Sequence, residues 1–334
     1  MTNATASTRM SITGLLVAGG VFGAVAASAL ATSVAPAPAQ ALDACFSSGL
    51  TGTLSTGSAS CSSSGPLQWA IAIGANTTAK VAGGLFNLAI AVGDNSAAYT
   101  FRGTPTDGSS YFNIATAAAG GTAVASDGFF NIANARGESS GAFAQYGSFG
   151  VARAIGVNAF AQAAAEGDLP LSAFNIARAR GENSEASAFG FGNSSRAFGS
   201  GARAFAGFGN GNIARALGNG ADAEAGGSSR ADQSSFNIAR VAGSNSSARA
   251  GAFNVDVTES RFNIATVIGN ESTASAGQGN LNAALVFGNT STAEAGPGNG
   301  RRAIIVGSNQ TKNDPPRDAS ARRAAAIVRS AAQR

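Results

Sequence analysis

Short runs of alternating small apolar and polar residues recur along the chain, separated by Gly, Asn and Ser. The clearest is a seven-residue phrase, N-I-A-x-A-x-G, as at 131–137, 175–181 and 212–218. A second phrase, S-x-A-x-A, follows within each unit, as at 184–188 and 246–250. Alternation with period two, bounded by turn residues, predicts a strand, a turn, a second strand and a second turn, and not a helix.

The unit recurs often enough to decide the fold class. Successive copies start 18 to 19 residues apart, or 25 to 26 apart where a unit is lengthened. One such unit cannot bury a core alone, but stacked units can. We expect an all-β fold, a parallel β-solenoid or β-roll of about twelve coils over 67–310, roughly 55 to 60 Å long at the usual interstrand spacing. Copies begin at Gln68, Asn87, Asn113, Asn131, Gly150, Asn175, Asn193, Asn212, Asn237, Asn263, Asn282 and Arg301.

Side-chain size predicts which residues of a unit face inward. With the Asn counted as position 0, positions 0, 2 and 4 of the first strand and 9, 11 and 13 of the second are almost always Asn, Ser, Ala or Val. Only small side chains fit inside a narrow coil. We interpret the recurring Asn as structural, in a column whose amides hydrogen-bond to one another along the stack. Gly at position 6 would supply the positive φ of a tight corner.

The opposite parity carries arginine at position 3 of successive full repeats. Stacked coils place these groups about 4.8 Å apart, and unpaired like charges cannot be buried at that spacing, so this parity must face solvent. The column is a candidate site for a phosphate, sulfate or uronate polymer, because each guanidinium can make bidentate contacts. The alternative is a solvated face partly neutralised by Glu182 and Glu185. The column comprises Arg153, Arg178, Arg196, Arg215 and Arg240.

The same outward parity carries an apolar stripe, with Phe at position −1 and an aliphatic residue at position 1. A strip of this length exceeds what soluble monomers usually expose, so we expect it to be covered. Another copy of the chain is the simplest cover; the inserted segments of the longer repeats and a lipid surface are the alternatives. The stripe comprises Phe86, Phe112, Phe130, Phe149, Phe174, Phe236, Phe262, Leu88, Ile114, Ile132, Val151, Ile176, Ile213, Ile238 and Ile264.

The N-terminal segment has the features of a secretory signal peptide. Arg9 precedes a run of small apolar residues at 12–34, and 39–41 form an A-x-A cleavage site. We expect residues 1–41 to be removed, so that the mature chain begins at Leu42; a membrane anchor is the alternative. The protein is then expected to be secreted or to lie on the surface of a bacterial envelope.

Cys45 and Cys61 are the only cysteines and lie just after this segment. In an oxidising compartment such a pair is most simply a disulfide, worth on the order of 3 kcal/mol for a loop of that size. We expect it to staple an N-terminal cap at 42–66.

The composition argues against an enzyme. The 334 residues include no His, which removes the usual general base and the commonest zinc ligand. The acidic residues are dispersed, and only Asp222 and Glu224 share a strand face. We therefore expect no catalytic group, no metal and no cofactor.

The net charge of +4 resides mostly at the C-terminus, where 311–334 form a basic segment. Its sequence predicts a short helix from about Asp318, or a polar tail that could dock on an anionic envelope polymer or membrane surface. Because the rest of the chain is nearly neutral, we expect no specific binding of nucleic acid.

The two repeated phrases resemble the head repeats of trimeric autotransporter adhesins. The likeness covers about 68–310 and implies a left-handed parallel β-roll that trimerises through apolar faces. The sequence departs from that family in its longer period, near 19 residues, and in lacking a recognisable heptad stalk or membrane-anchor domain. The expected function is that of an exported structural or adhesin-like surface protein that self-associates.

Overall fold

A computed structural model describes residues 43–101, 110–163, 172–227, 234–251 and 260–314. Within these residues the regular elements are 29 β-strands and no helix. A helix with the length and apolarity to cross a membrane is therefore also absent from this part of the chain. The expected signal peptide, the C-terminal helix from Asp318 and the inserted parts of the four lengthened repeats lie outside the described residues.

Two long sheets confirm the all-β parallel solenoid, and the first contains 14 strands. Its strands are β1 (Ala44–Ser48), β2 (Gly52–Thr56), β4 (Trp69–Ile73), β6 (Leu88–Val92), β9 (Ile114–Ala118), β12 (Ile132–Arg136), β14 (Val151–Ile155), β16 (Ile176–Arg178), β18 (Ser194–Arg196), β20 (Ile213–Arg215), β22 (Ile238–Ala242), β24 (Ile264–Ile268), β26 (Ala283–Phe287) and β28 (Arg302–Val306).

The second sheet contains 13 strands, one from the second half of each of the twelve coils and β3 ahead of them. They are β3 (Ser60–Ser63), β5 (Thr78–Ala82), β7 (Ala97–Phe101), β10 (Thr122–Ala125), β13 (Gly141–Ala144), β15 (Phe160–Gln162), β17 (Glu185–Ser187), β19 (Arg203–Ala204), β21 (Asp222–Ala223), β23 (Ser247–Arg249), β25 (Thr273–Ser275), β27 (Thr292–Ala295) and β29 (Thr311–Asp314). A short pair, β8 (Ser110–Tyr111) and β11 (Gly128–Phe129), lies at a corner between the sheets.

The register confirms that one repeat is one coil. Each first-phrase strand pairs in parallel with the same strand of the next repeat, so that Ile132 lies between Ile114 and Val151. From β4 to β28 the first sheet has twelve such strands, the number of coils that the repeats predict. The lengthened repeats keep this register, since Arg153 and Arg178 lie opposite each other despite the longer unit between them.

The interior is filled by small side chains, as the sequence predicts. Alanines at positions 2 and 4 and at positions 11 and 13 are fully buried, for example Ala133, Ala152, Ala142 and Ala144. The two sheets are therefore separated by little more than methyl groups. Later coils accept slightly larger residues at position 4, where Val241 is 2% exposed.

The Asn column forms, but its hydrogen bonds differ from the expected amide-to-amide contacts. At position 0 the side-chain Oδ1 accepts the backbone N–H of position 0 in the next coil, at 2.8 to 3.0 Å. The Nδ2 group donates to corner carbonyls, as from Asn175 to Gly190 and from Asn263 to Gly279. The physical reason is that buried corner N–H and C=O groups need partners more than the amides need one another.

Glycine at position 6 is required for two reasons. Gly93 has φ of 88° and Gly288 has φ of 158°, conformations that other residues rarely adopt. A Cβ at Gly288 would also collide with the backbone of Gly307 in the next coil. Close stacking of the corners thus depends on the missing side chain.

The N-terminal end is closed by a hairpin and the expected disulfide. Strand β1 runs antiparallel to both β2 and β4. The Cys45–Cys61 bond joins β1 to β3, with 5.7 Å between the Cα atoms, and so fastens one sheet to the other. A disulfide is typical of an oxidising, extracellular environment. The solenoid also begins earlier than residue 67, because β3 already pairs with β5.

The solenoid also reaches further than residue 310. Residues 311–314, the beginning of the expected tail, form β29 and pair with β27. Arg301 replaces Asn at position 0 of the last coil and is 7% exposed. Its guanidinium Nη1 lies 3.9 Å from Oδ1 of Asp314. This ion pair closes the end of the Asn column.

Candidate interaction surface

The outer face of the first sheet brings the five predicted arginines into one ladder. They occupy adjacent strands β14, β16, β18, β20 and β22 in register, from Arg153 through Arg178, Arg196 and Arg215 to Arg240. All five side chains are exposed. Because each strand carries one arginine of the ladder, the five residues span four interstrand intervals along the solenoid, about 19 Å.

The arginine ladder has no neutralising partner among the described residues. The two ion pairs in that part of the chain join Arg203 to Glu185 at 3.6 Å and Arg301 to Asp314. Glu185, which could have screened the ladder, instead pairs on the outer face of the second sheet. Like charges directly opposite each other in a sheet are destabilising, so the ladder lowers the stability of the isolated solenoid.

The ladder also has defined ends. Position 3 is apolar at both ends of the sheet. Ile71 and Ile90 occupy it in the first two coils, and Leu285 and Ile304 in the last two. Polar residues stand between, where Asn134 donates to the hydroxyl of Thr116 at 2.7 Å. At this position the basic residues thus form a central segment between two apolar ends, while Arg136 on β12 and Arg302 on β28 are exposed elsewhere on the same face.

The seven predicted phenylalanines line one corner of the solenoid, and most stack on one another. Consecutive rings from Phe86 to Phe174 have centroids 4.8 to 5.3 Å apart and planes within 9° of parallel. Phe236 and Phe262 form a second stack at 5.2 Å. Their side chains are 39 to 53% exposed. Because each ring face covers its neighbour, this Phe ladder presents ring edges to solvent.

Every phenylalanine in the Phe ladder has a left-handed backbone, which the sequence analysis missed. Their φ angles lie between 56° and 59°, a region that costs a bulky residue on the order of 1 kcal/mol or more. Three other coils use glycine at this position, with φ of 66° at Gly192, 65° at Gly211 and 67° at Gly300, and two use leucine, with φ of 57° at Leu67 and 62° at Leu281. That exchange of Gly for Phe at one position was the sequence signal for a positive φ.

The Phe ladder is interrupted where Gly192 and Gly211 replace phenylalanine. On one side, Phe191 packs edge-on against Phe174 with centroids 5.6 Å apart. On the other, the ring of Phe236 leans over Gly211, where a Cβ would lie 2.9 Å from it. The structure therefore divides the predicted continuous stripe into two aromatic stacks. The sequence analysis also missed a second row, in which Tyr111 stacks on Phe129 at 5.2 Å.

The aliphatic part of the stripe lies beside the Phe ladder, in register on the first sheet. Ile132, Ile213 and Ile264 are 39 to 41% exposed. The other predicted members, Leu88, Ile114, Val151, Ile176 and Ile238, are half-buried. This aliphatic column lies two residues from the arginine ladder on the same strands, about 7 Å away. Apolar stripe and basic ladder therefore share one face.

The second sheet holds the acidic pair singled out from the sequence. Asp222 lies beside Arg203 of the preceding strand, and Glu224 follows on the same face. Burial raises the pKa of Glu224, Arg249 opposes that shift and Asp222 adds to it. Among the described residues no group of three or more acidic or cysteine side chains is placed to hold a metal ion.

A pH prediction follows from Glu224. A carboxyl whose pKa is raised in the folded state binds protons more tightly there than in the unfolded chain, so the free energy of unfolding falls as pH rises above the ordinary value of 4.5. We expect Glu224→Gln to raise the melting temperature at neutral pH and to give no gain below pH 4.5. Thermal melts at both pH values test this. Glu294→Gln, at the exposed equivalent position three coils on, is the control; an equal gain there would contradict the prediction.

Comparisons with known proteins give this surface no precedent. No protein-family model, curated protein or solved structure matches the chain. Its function must therefore be inferred from the geometry of the two ladders.

Proposed function

We propose that this protein is an exported structural or adhesin-like repeat protein of the cell surface that self-associates through the Phe ladder and its aliphatic column. The resemblance to adhesin head repeats favours a trimer. The disulfide between Cys45 and Cys61 supports export, since such bonds persist in oxidising compartments.

The observation that carries the proposal is the left-handed backbone of the exposed phenylalanines. Each has a strained backbone conformation, with φ of 56° to 59°, at a position where glycine would be free of strain. Each is also 39 to 53% exposed to water. Neither feature stabilises an isolated solenoid, whereas both are explained if the ring edges are buried against another copy.

The arginine ladder restricts how copies can associate. It occupies coils five to nine of twelve, so face-to-face pairing of two first sheets would oppose arginine to arginine in parallel and antiparallel orientation alike. Contact through the corner avoids this. In a parallel trimer the three Phe ladders meet at the threefold axis and the arginine ladders face outward.

The test is a double variant, Phe130→Gly with Phe149→Gly. We expect self-association at micromolar concentration to be lost, because the stacked edges are removed, while the melting temperature of the monomer changes little, because relieved strain offsets the lost stacking. Light scattering coupled to size-exclusion chromatography measures the first and thermal melting the second. The matched control is Phe143→Ser with Phe160→Ser, a ring pair on the second sheet with centroids 5.4 Å apart.

Two results would contradict the proposal. One is a monomeric parent protein under these conditions. The other is equal loss of association in the Phe143/Phe160 control, which would place the interface on the second sheet.

A second candidate function, polyanion binding, is favoured by the register of the arginine ladder. Five exposed guanidinium groups on adjacent strands, without acidic partners in the described chain, repel one another until an anion neutralises them. We expect salt-dependent retention on heparin that is abolished when Arg178, Arg196 and Arg215 are replaced by Gln. Retention that does not change with salt, or survives the triple variant, would contradict this candidate.

A further inference from the structure

We infer that the ligand of the arginine ladder is a polyuronate, a linear polysaccharide with one carboxylate on each sugar, lying along the solenoid axis across β14 to β22. The inference rests on the second proposed function, polyanion binding, and names its substrate class. It follows from three properties of the ladder: its charge spacing, its length and its apolar borders.

The charge spacing matches one carboxylate per sugar. Successive guanidinium groups are carried by successive strands, about 4.8 Å apart. One pyranose unit in an extended chain is about as long as this spacing. Successive sugars turn their carboxylates to alternate edges of the chain, so neighbouring arginines meet them from alternate sides. In duplex DNA the phosphates lie about 3.4 Å apart along each strand, which does not match the spacing of the arginines.

The length of the ladder predicts the size of the bound segment. The basic column ends at Asn134 on one side and Thr266 on the other, and isoleucines and a leucine lie beyond. A short oligomer that spans the five arginines should therefore bind nearly as tightly as a long polymer. This would not hold for a surface whose charge continued to both ends of the solenoid.

The borders of the ladder favour a sugar over an inorganic polymer. On one side lies the aliphatic column, with Ile213 39% exposed and Ser194 the polar exception. On the other, two residues beyond the arginines, Leu217 is 42% exposed and the exposed Arg180 is the polar exception. A pyranose has carbon-bound hydrogens on its ring faces that can cover these apolar side chains while its carboxylate meets arginine. Polyphosphate has no apolar face, and would leave Ile213 and Leu217 in water.

The Phe ladder does not compete for the sugar. Sugars pack on aromatic ring faces, and in this ladder the faces are occupied by neighbouring rings, as between Phe112 and Phe130 at 4.8 Å and 4°. Ring edges remain for another apolar surface. The two ladders are therefore separate sites, but both border the aliphatic column, so a second copy and a sugar compete for Ile213 and its neighbours.

The experiment measures binding of the full chain to an oligogalacturonate long enough to span the five arginines, with the methyl-esterified oligomer as matched ligand. We expect salt-sensitive binding to the free acid and none to the ester. Replacing Arg178, Arg196 and Arg215 by Gln should weaken binding about tenfold or more. The control variant, with Arg249, Arg302 and Lys312 replaced by Gln, removes the same charge elsewhere and should bind as the parent does. Melting temperatures confirm that both variants fold.

Each other outcome is informative. Equal binding of acid and ester, or an equal loss in both variants, would overturn the inference. Tighter binding of polyphosphate or single-stranded DNA than of the oligogalacturonate would overturn the uronate assignment and leave polyanion binding standing. Absence of binding to all of these anions would overturn polyanion binding as well, while self-association would remain open to its own test.

Discussion

Replacing Asn212 with alanine is expected to destabilise the solenoid by about 2–6 kcal/mol. Asn212 is fully buried. Its Oδ1 accepts the backbone N–H of Asn237 at 3.0 Å, and its Nδ2 donates to the carbonyl of Ser234 at 2.7 Å. The truncation leaves both backbone groups buried without a partner, and each such group costs about 1–3 kcal/mol. Urea denaturation followed by circular dichroism measures the loss.

The matched control is Asn219→Ala in the next corner of the same coil. Asn219 is exposed, and a surface substitution of this kind usually changes stability by less than about 0.5 kcal/mol. If the two variants unfold at the same urea concentration, the Asn column is not a structural ladder.

Enlarging a buried alanine is also expected to destabilise the solenoid strongly. Ala239 is fully buried and lies between Ala214 and Ala265 of the adjacent coils, which are also fully buried. Leucine there must push the two sheets apart, and overpacking of a tight interior typically costs about 1–3 kcal/mol, occasionally more. We expect Ala239→Leu to reach the upper end of that range, because its neighbours Ala214 and Ala265 are fully buried and belong to hydrogen-bonded strands on both sides.

The control for this experiment is already present in the chain. Position 4 holds Ala216 in one coil and the buried Val241 in the next, so Ala216→Val places a known side chain in equivalent surroundings. We expect a change of less than about 1 kcal/mol for this smaller enlargement. If Ala239→Leu were as mild in urea denaturation, the interior would have to contain unfilled space.

The sequence predicts those features that depend on side-chain size and charge. Alternating small residues place Ala133 inside, and charge places Arg178 outside, because a narrow interior excludes both bulk and unpaired ions. Since every coil follows the same rule, the register that aligns the five arginines follows from the repeat alone. The coil number and the inward parity are confirmed for the same reason. The disulfide is confirmed on a different ground, because Cys45 and Cys61 are the only cysteines of the chain.

The sequence does not predict features set by backbone geometry. The left-handed φ of Phe149 contradicts the ordinary preference of a bulky residue, and only comparison with Gly192 at the same position would indicate it. The partners of the Asn amides were expected among themselves, whereas most of their bonds go to corner backbone groups, whose positions depend on how the coils stack. Division of the Phe ladder into two stacks, in contrast, could have been predicted, because Gly192 and Gly211 occupy the Phe position in the sequence.

The disulfide makes the N-terminal end of the solenoid more stable than the opposite end of the described chain. It fastens β1 to β3 by a covalent bond, whereas at the opposite end of the described chain β28 and β29 are joined by noncovalent contacts, among them the pair of Arg301 and Asp314 at 3.9 Å. In a stack where each coil contacts only its neighbours, loss of structure proceeds from the weaker terminus. Heating or pulling should therefore peel coils away one after another from β28 and β29, and the stapled hairpin should be the last part to melt and the template on which the stack re-forms.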